Sequence, residues 1–123
     1  MRIFKNTAFT RFAKKSGISD AALCKAVNNA EKGLIDADLG GGVIKQRIAR
    51  DGEGKSGGFR SMILFKTGSL SFFVYGFAKN KMDNISDNDL ILLRRLAAEV
   101  LNYNDTELSQ AINKNLFIEV TCD

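Results

Sequence analysis

The chain of 123 residues has no histidine and no proline, only two cysteines, and no long apolar run. Without histidine it cannot run a Ser-His-Asp triad, a Cys-His pair, a histidine-based ribonuclease or a His-ligated zinc site. Any acid/base chemistry falls to Lys, Arg, Tyr, Asp or Glu. Without proline, element boundaries must be read from glycine and from Asn/Asp/Ser clusters. Cys24 and Cys122 are far apart, one in a helical pattern and one next to the last residue, and are read as neither a disulfide framework nor a metal site. A reducing cytoplasm is therefore the expected location, with no metal and no cofactor. Met1–Asn6 lacks the apolar core of a signal peptide, and no apolar stretch approaches the roughly 18–20 residues needed to span a bilayer. Neither export nor membrane insertion is expected.

What is present is concentrated charge. Val43–Met82 holds eight basic and two acidic side chains, a net of +6, whereas the remaining ten basic and twelve acidic residues come to −2, reproducing the chain's +4. The cations are Lys45, Arg47, Arg50, Lys55, Arg60, Lys66, Lys79 and Lys81, opposed only by Asp51 and Glu53. Positive charge gathered on a small sheet is an electrostatic footprint for a polyanion, most economically a nucleic acid. An apolar content of 45% in a chain of this length fits one globular domain with its own core.

The pattern along the chain predicts an α+β protein. Arg2–Lys5 reads as a short first strand. Ala8, Phe9, Phe12 and Ala13 form one face of a helix that Gly17 ends. Ser19 caps a second helix with Ala22, Leu23, Ala26, Val27 and Ala30 as its buried stripe, terminated by Gly33. Leu34–Gly42 reads as a loop. Val43–Arg50, Phe59–Lys66 and Leu70–Phe77 read as consecutive strands, with Thr67-Gly-Ser69 as a tight hairpin. A third helix, Ser86–Asn102, opens on Ser86 and repeats Leu90, Leu93, Leu96/Ala97 and Val100/Leu101, leaving Arg94 and Arg95 on its exposed face. A short fourth helix begins at Asn104, with Glu107 as its N3 partner.

Alternation along the strands decides which charges act together. Lys45 and Arg47 share one face of the first long strand, with Ile44 and Ile48 on the other. Arg60, Met62 and Leu64 share a face of the next, which puts Arg60 at the strand entrance beside Gly52-Glu-Gly-Lys-Ser-Gly-Gly58. Tyr75 and Phe77 share a face of the third, where aromatic residues serve either as core or as platforms for a base. Gly54-Lys55-Ser56 resembles the end of a phosphate-binding P-loop, but Ala49 stands where that motif needs glycine, and a strand follows where it needs a helix.

The run from Gly42 through Arg60, with its Gly-Lys-x-Gly-Gly-x-Arg turn, followed by Phe72-Phe-Val-Tyr-Gly-Phe-Ala-Lys-Asn-Lys81, resembles the RelE/ParE superfamily of bacterial toxins, in its HigB-like RelE branch. The resemblance covers about Arg2–Leu101. It implies two N-terminal helices packed on a small twisted antiparallel sheet of about three or four strands, with one or more C-terminal helices. On this reading residues 1–103 form the toxin domain and 104–123 a C-terminal helical extension of it. It further implies a ribosome-dependent endoribonuclease of a type II toxin–antitoxin system, restrained by a cognate antitoxin commonly of helix-turn-helix type. This sequence departs from the pattern in carrying Lys81 where similar toxins often have an acidic residue, and in offering no confident counterpart to the stacking tyrosine some members place near the C-terminus.

Cleaving RNA through its 2′-hydroxyl needs a base, cations for the pentavalent phosphate and an acid for the 5′-oxygen. Crowded cations disfavour one another's charged forms, which suits a lysine for proton transfer, while arginine stays a fixed cation. Lys45 is accordingly the candidate base, Arg47 and Arg60 the phosphate and transition-state stabilisers, and Lys79 either a contact or the acid. Arg50, Lys55, Gly57, Gly58, Tyr75 and Lys81 are candidate RNA contacts. Two other classes stay open: a ParE-like toxin that acts on DNA gyrase by binding, and a non-catalytic nucleic-acid-binding relative.

Overall fold

A computed structural model describes residues 1–49, 58–78 and 85–123. In chain order these form β1 (Arg2–Asn6), α1 (Thr7–Ser16), α2 (Asp20–Glu31), β2 (Ala37–Gly40), β3 (Val43–Ile48), β4 (Phe59–Lys66), β5 (Leu70–Ala78), α3 (Asp87–Val100), α4 (Asp105–Asn113) and β6 (Phe117–Val120). The strands make one sheet in the order β2-β3-β4-β5-β1-β6. The α+β class expected from the pattern is the one observed. The sheet is larger, with six strands, and it is mixed, because β1 pairs parallel to β5 while its other neighbour, β6, runs antiparallel to it.

The additional strands have identifiable causes. Leu34–Gly42, expected to be a loop, contains β2, whose short ladder with β3 shifts register between Asp38 and Gly40. A glycine triplet hides such a strand, since Gly40, Gly41 and Gly42 all take positive φ and read as a turn. The last strand, β6, follows α4 and seals the outer edge of β1, so the C-terminal segment contributes a strand as well as a helix.

Helix ends follow local chemistry. The Asn6 side chain accepts from the Phe9 amide at 2.8 Å to start α1, and Gly17, at φ +70°, ends it. Ser19 and Ser86 cap α2 and α3 through the Ala22 and Asp89 amides. Asn104 and Glu107 form a reciprocal capping box on α4, at 2.8 and 2.9 Å.

Each face of the sheet has its own core. On one, Phe9, Ala13, Leu23, Ala26, Val27 and Ala30 of α1 and α2 pack on Ile3, Ile44, Ile48, Ile63 and Phe73. On the other, Ala97 and Val100 of α3 and Leu108 and Ala111 of α4 join Phe4, Val43, Met62, Leu64 and Phe72. Phe4 and Phe72 are register partners and stack at 5.1 Å between ring centroids. Four phenylalanines, Phe4, Phe9, Phe72 and Phe73, are fully buried, each contributing about 1.5–3 kcal/mol of transfer free energy.

Arg94 and Arg95 are exposed, as the sequence reading expects, and Arg94 also reaches the sheet: its Nε donates to the Leu39 carbonyl at 3.2 Å and its stem packs over Gly41, so α3 latches the β2–β3 turn. One further feature differs from the sequence reading. Cys24 and Cys122 are joined in a disulfide with Cα atoms 5.9 Å apart. The pairing escapes a spacing argument because the partners are 98 positions apart and the tail returns to α2 only through the sheet. Val120 at the end of β6 belongs to the core beneath α2, and Cys122 follows two residues later.

Candidate nucleic-acid interface

The cationic face is built by the β3–β4 ladder. Lys45 pairs with Met62 and Arg47 with Arg60, so the three cations emerge from the same side of the sheet. Ile44 and Ile48 lie opposite, in the core under α2, as alternation predicts. Lys45, Arg47 and Arg60 are each half-buried, their stems held by the sheet.

β5 completes that face through an irregularity that sequence does not reveal. Leu64 pairs with Phe72 and Ile63 with Phe73, but Met62 pairs with Tyr75, leaving Val74 as an extra residue. This bulge moves the alternation by one, so Tyr75 and Phe77 face the same way as Phe72. Without it, Val74 and Gly76 would occupy the cationic face. With it, Phe77 is the register partner of Arg60 and Tyr75 that of Met62. Their rings lie 5.9 Å apart; Phe77 is buried and Tyr75 half-buried. Gly76 falls on the opposite face, where a Cβ would lie 3.0 Å from the Phe9 ring and collide with Phe12.

Arg60 has a specific anion partner. Its Nε lies 3.1 Å from Oδ2 of Asp36, across β3 in the segment before β2, and its Nη1 makes a longer contact, 3.4 Å, with the Phe59 carbonyl. Asp36 did not stand out in the sequence because its segment read as loop. Gly58 has a packing role: a Cβ there would sit 2.8 Å from the Ile48 carbonyl and 3.3 Å from Nε of Arg47. A side chain at that position would press on the Arg47 guanidinium.

The structure therefore brings together Lys45, Arg47, Arg60, Gly58 and Tyr75 of the residues singled out from sequence. The other candidates, Arg50, Lys55, Gly57, Lys79 and Lys81, lie outside the described residues. Two participants were missed, Asp36 and Gln46. The second carried a signal: a glutamine at an inward-facing strand position, between two cations and flanked on its own face by Ile44 and Ile48.

The fold is thus a mixed sheet with two N-terminal helices on one face and Lys45, Arg47 and Arg60 gathered on the other. A family model described as the RelE toxin of the RelE/RelB toxin–antitoxin system matches residues 1–120. The chain belongs to that family, and membership implies a cognate antitoxin as partner. No curated protein matches the chain. Among the described residues, no helix is long and apolar enough to cross a membrane.

Proposed function

We propose that this toxin inhibits translation by cutting mRNA on the ribosome, as an endoribonuclease that uses a Lys/Arg cluster. The observation that carries the reading is the direct cross-strand pairing of Arg47 with Arg60, with Lys45 two residues along the same face. Like charges directly opposite disfavour one another, and a polyanion seated over both would be attracted by the pair.

In this reading Lys45 takes the proton of the 2′-hydroxyl and the 2′-oxygen attacks the adjacent phosphorus. The bond from phosphorus to the 5′-oxygen breaks, leaving a 2′,3′-cyclic phosphate and a 5′-hydroxyl. Arg47 and Arg60 offset the charge that grows on the phosphate oxygens. Lys79 is assigned the proton for the leaving oxygen. Arg50, Lys55, Gly57, Gly58 and Lys81 are assigned contacts along the RNA backbone, and Tyr75 a stacked base. The site of action is the cytoplasm, where ribosomes and message meet, and the assigned partner is an antitoxin of helix-turn-helix type that covers the cationic face between episodes of toxicity.

The test is inducible expression in a bacterial host with 5′ ends of cellular mRNA mapped within minutes, beside an Arg60→Ala control. In-frame cuts in translated messages that vanish in the control are expected. Growth arrest with intact mRNA would replace this reading with gyrase-directed action, and absence of arrest with a non-catalytic relative.

A further inference from the structure

We propose that Asp36 is a positioning residue that fixes the plane of the Arg60 guanidinium for phosphate. The inference rests on Arg60 being the phosphate-binding cation proposed above. Arg60 spans β3 to place Nε 3.1 Å from the Asp36 carboxylate, in a charge-assisted contact with only 14% of the arginine side chain exposed. Together with the longer contact from Nη1 to the Phe59 carbonyl, this holds the guanidinium at two of its three nitrogens. An arginine on a long stem otherwise samples many rotamers, and each must be frozen out when the transition state forms.

Asp36 can serve this way because its own backbone is held. Its amide donates to Oε1 of Gln46 at 3.1 Å, and Nε2 of Gln46 donates to the carbonyls of Ala26 at 3.0 Å and Leu34 at 2.9 Å. Gln46 is 3% exposed, and its own carbonyl accepts from the fully buried hydroxyl of Ser61 at 3.0 Å. One buried amide thus ties α2, the segment before β2, and β3 together, while Ser61 adds β4. β3 presents Lys45 and Arg47 on one face and, through Gln46 between them, holds from the other face the segment that orients Arg60. Such a connected and satisfied network is stiff, and stiffness is what a positioning contact requires.

A carboxylate beside a phosphate site weakens ground-state attraction for RNA, so positioning and simple charge balance have opposite signatures. The experiment compares ribosome-programmed mRNA cleavage by the wild type with Asp36→Ala, Asp36→Asn, Asp36→Glu and Arg60→Ala, together with the NMR signal of the Arg60 Nε–H in the free protein. Positioning predicts that kcat falls about ten- to a hundredfold in Asp36→Ala and Asp36→Asn with KM not raised, and that Asp36→Glu recovers part of the loss. The Nε–H signal should move toward that of a solvent-exposed arginine in both neutral variants. Wild-type or higher kcat in the neutral variants, with Arg60→Ala inactive, overturns the inference and leaves the function standing. A wild type that does not cut RNA, or an Arg60→Ala protein that cuts equally well, overturns both. Loss of NMR dispersion and of a cooperative melt even in the near-isosteric Asp36→Asn would make Asp36 structural and also overturn it.

Discussion

Arg47 and Arg60 are register partners on adjacent antiparallel strands, two half-buried cations held side by side by the β3–β4 ladder. Across a strand pair, Cβ atoms of such partners stand about 4.5–5.5 Å apart, close enough for like charges to oppose folding. Asp36 offsets part of this from the Arg60 side. On the function proposed above, the repulsion between the two guanidinium groups is a cost accepted for binding a polyanion.

The first expectation follows from that cost. Arg47→Gln removes one of the opposed charges and keeps much of the stem, so unfolding free energy should change by less than about 1 kcal/mol. Cleavage of translated mRNA should fall by about a hundredfold or more, the scale of losing a preorganised charge at a developing oxyanion. Urea titration beside a ribosome-programmed cleavage assay checks both quantities. A parallel collapse of stability and activity would assign Arg47 to the fold instead.

Gly58 yields a steric expectation. In Gly58→Ala the new methyl would stand 2.8 Å from the Ile48 carbonyl and 3.3 Å from Nε of Arg47, and the first neighbour is backbone that cannot rotate away. Overpacking of this kind costs about 1–3 kcal/mol. The denaturation midpoint should drop accordingly, and cleavage by the still-folded fraction should fall as Arg47 is displaced. An unchanged midpoint would show that the strand entrance yields freely.

Much of this was legible in the sequence, and the omissions share a cause. Ser19, Ser86 and the Asn104/Glu107 pair announced three helix starts, and alternation placed Lys45, Arg47 and Arg60 on common strand faces, because caps and alternation are local. The β5 bulge that aims Tyr75 and Phe77, the parallel pairing of β1 with β5, and the Arg60–Asp36 contact depend on what lies across the sheet. Neighbouring residues carry no trace of them. β2 was lost for a different reason: its Gly40 and the two glycines after it advertise a turn and mask the ladder that Ala37 and Asp38 make with β3.

The junction of β6 with β1 predicts a small acid-sensitive contribution to stability. Arg2 donates to both carboxylate oxygens of Glu119, at 2.9 and 3.0 Å, and this bond holds the Glu119 carboxyl below its ordinary range against an opposing effect of desolvation. A carboxyl depressed in the folded state stabilises fully above its unfolded pKa, and that contribution is lost as pH falls through the folded value. Both side chains are about 40% exposed, so solvent screening keeps the effect small. Thermal melts below about pH 5 should show a shallower acid decline for Glu119→Gln than for the wild type, with the difference shrinking in high salt. Identical acid limbs would mean the pair forms equally well in the unfolded chain.

The Cys24–Cys122 link closes a span of 98 residues, and its stabilising effect should lie mainly in the unfolded ensemble. In the native state β6 is already held by its ladder to β1 and by the Arg2–Glu119 pair, so cutting the link leaves the sheet assembled. Unfolding free energy should fall by about 2–5 kcal/mol on reduction or in Cys122→Ser, the scale on which native disulfides stabilise, with a link of this reach toward the upper end. The urea dependence should steepen as well, because an uncrosslinked unfolded chain exposes more surface. Cleavage by reduced protein should match that of oxidised protein, since β3 and β4 keep their own pairing. Disulfides rarely persist in a reducing cytoplasm, so a toxin acting there must stand on its sheet and two cores alone. Urea titrations with and without dithiothreitol decide the matter: a lower midpoint with unchanged cleavage assigns the link to stability, whereas lost cleavage would mean that the distant tail shapes the cationic face.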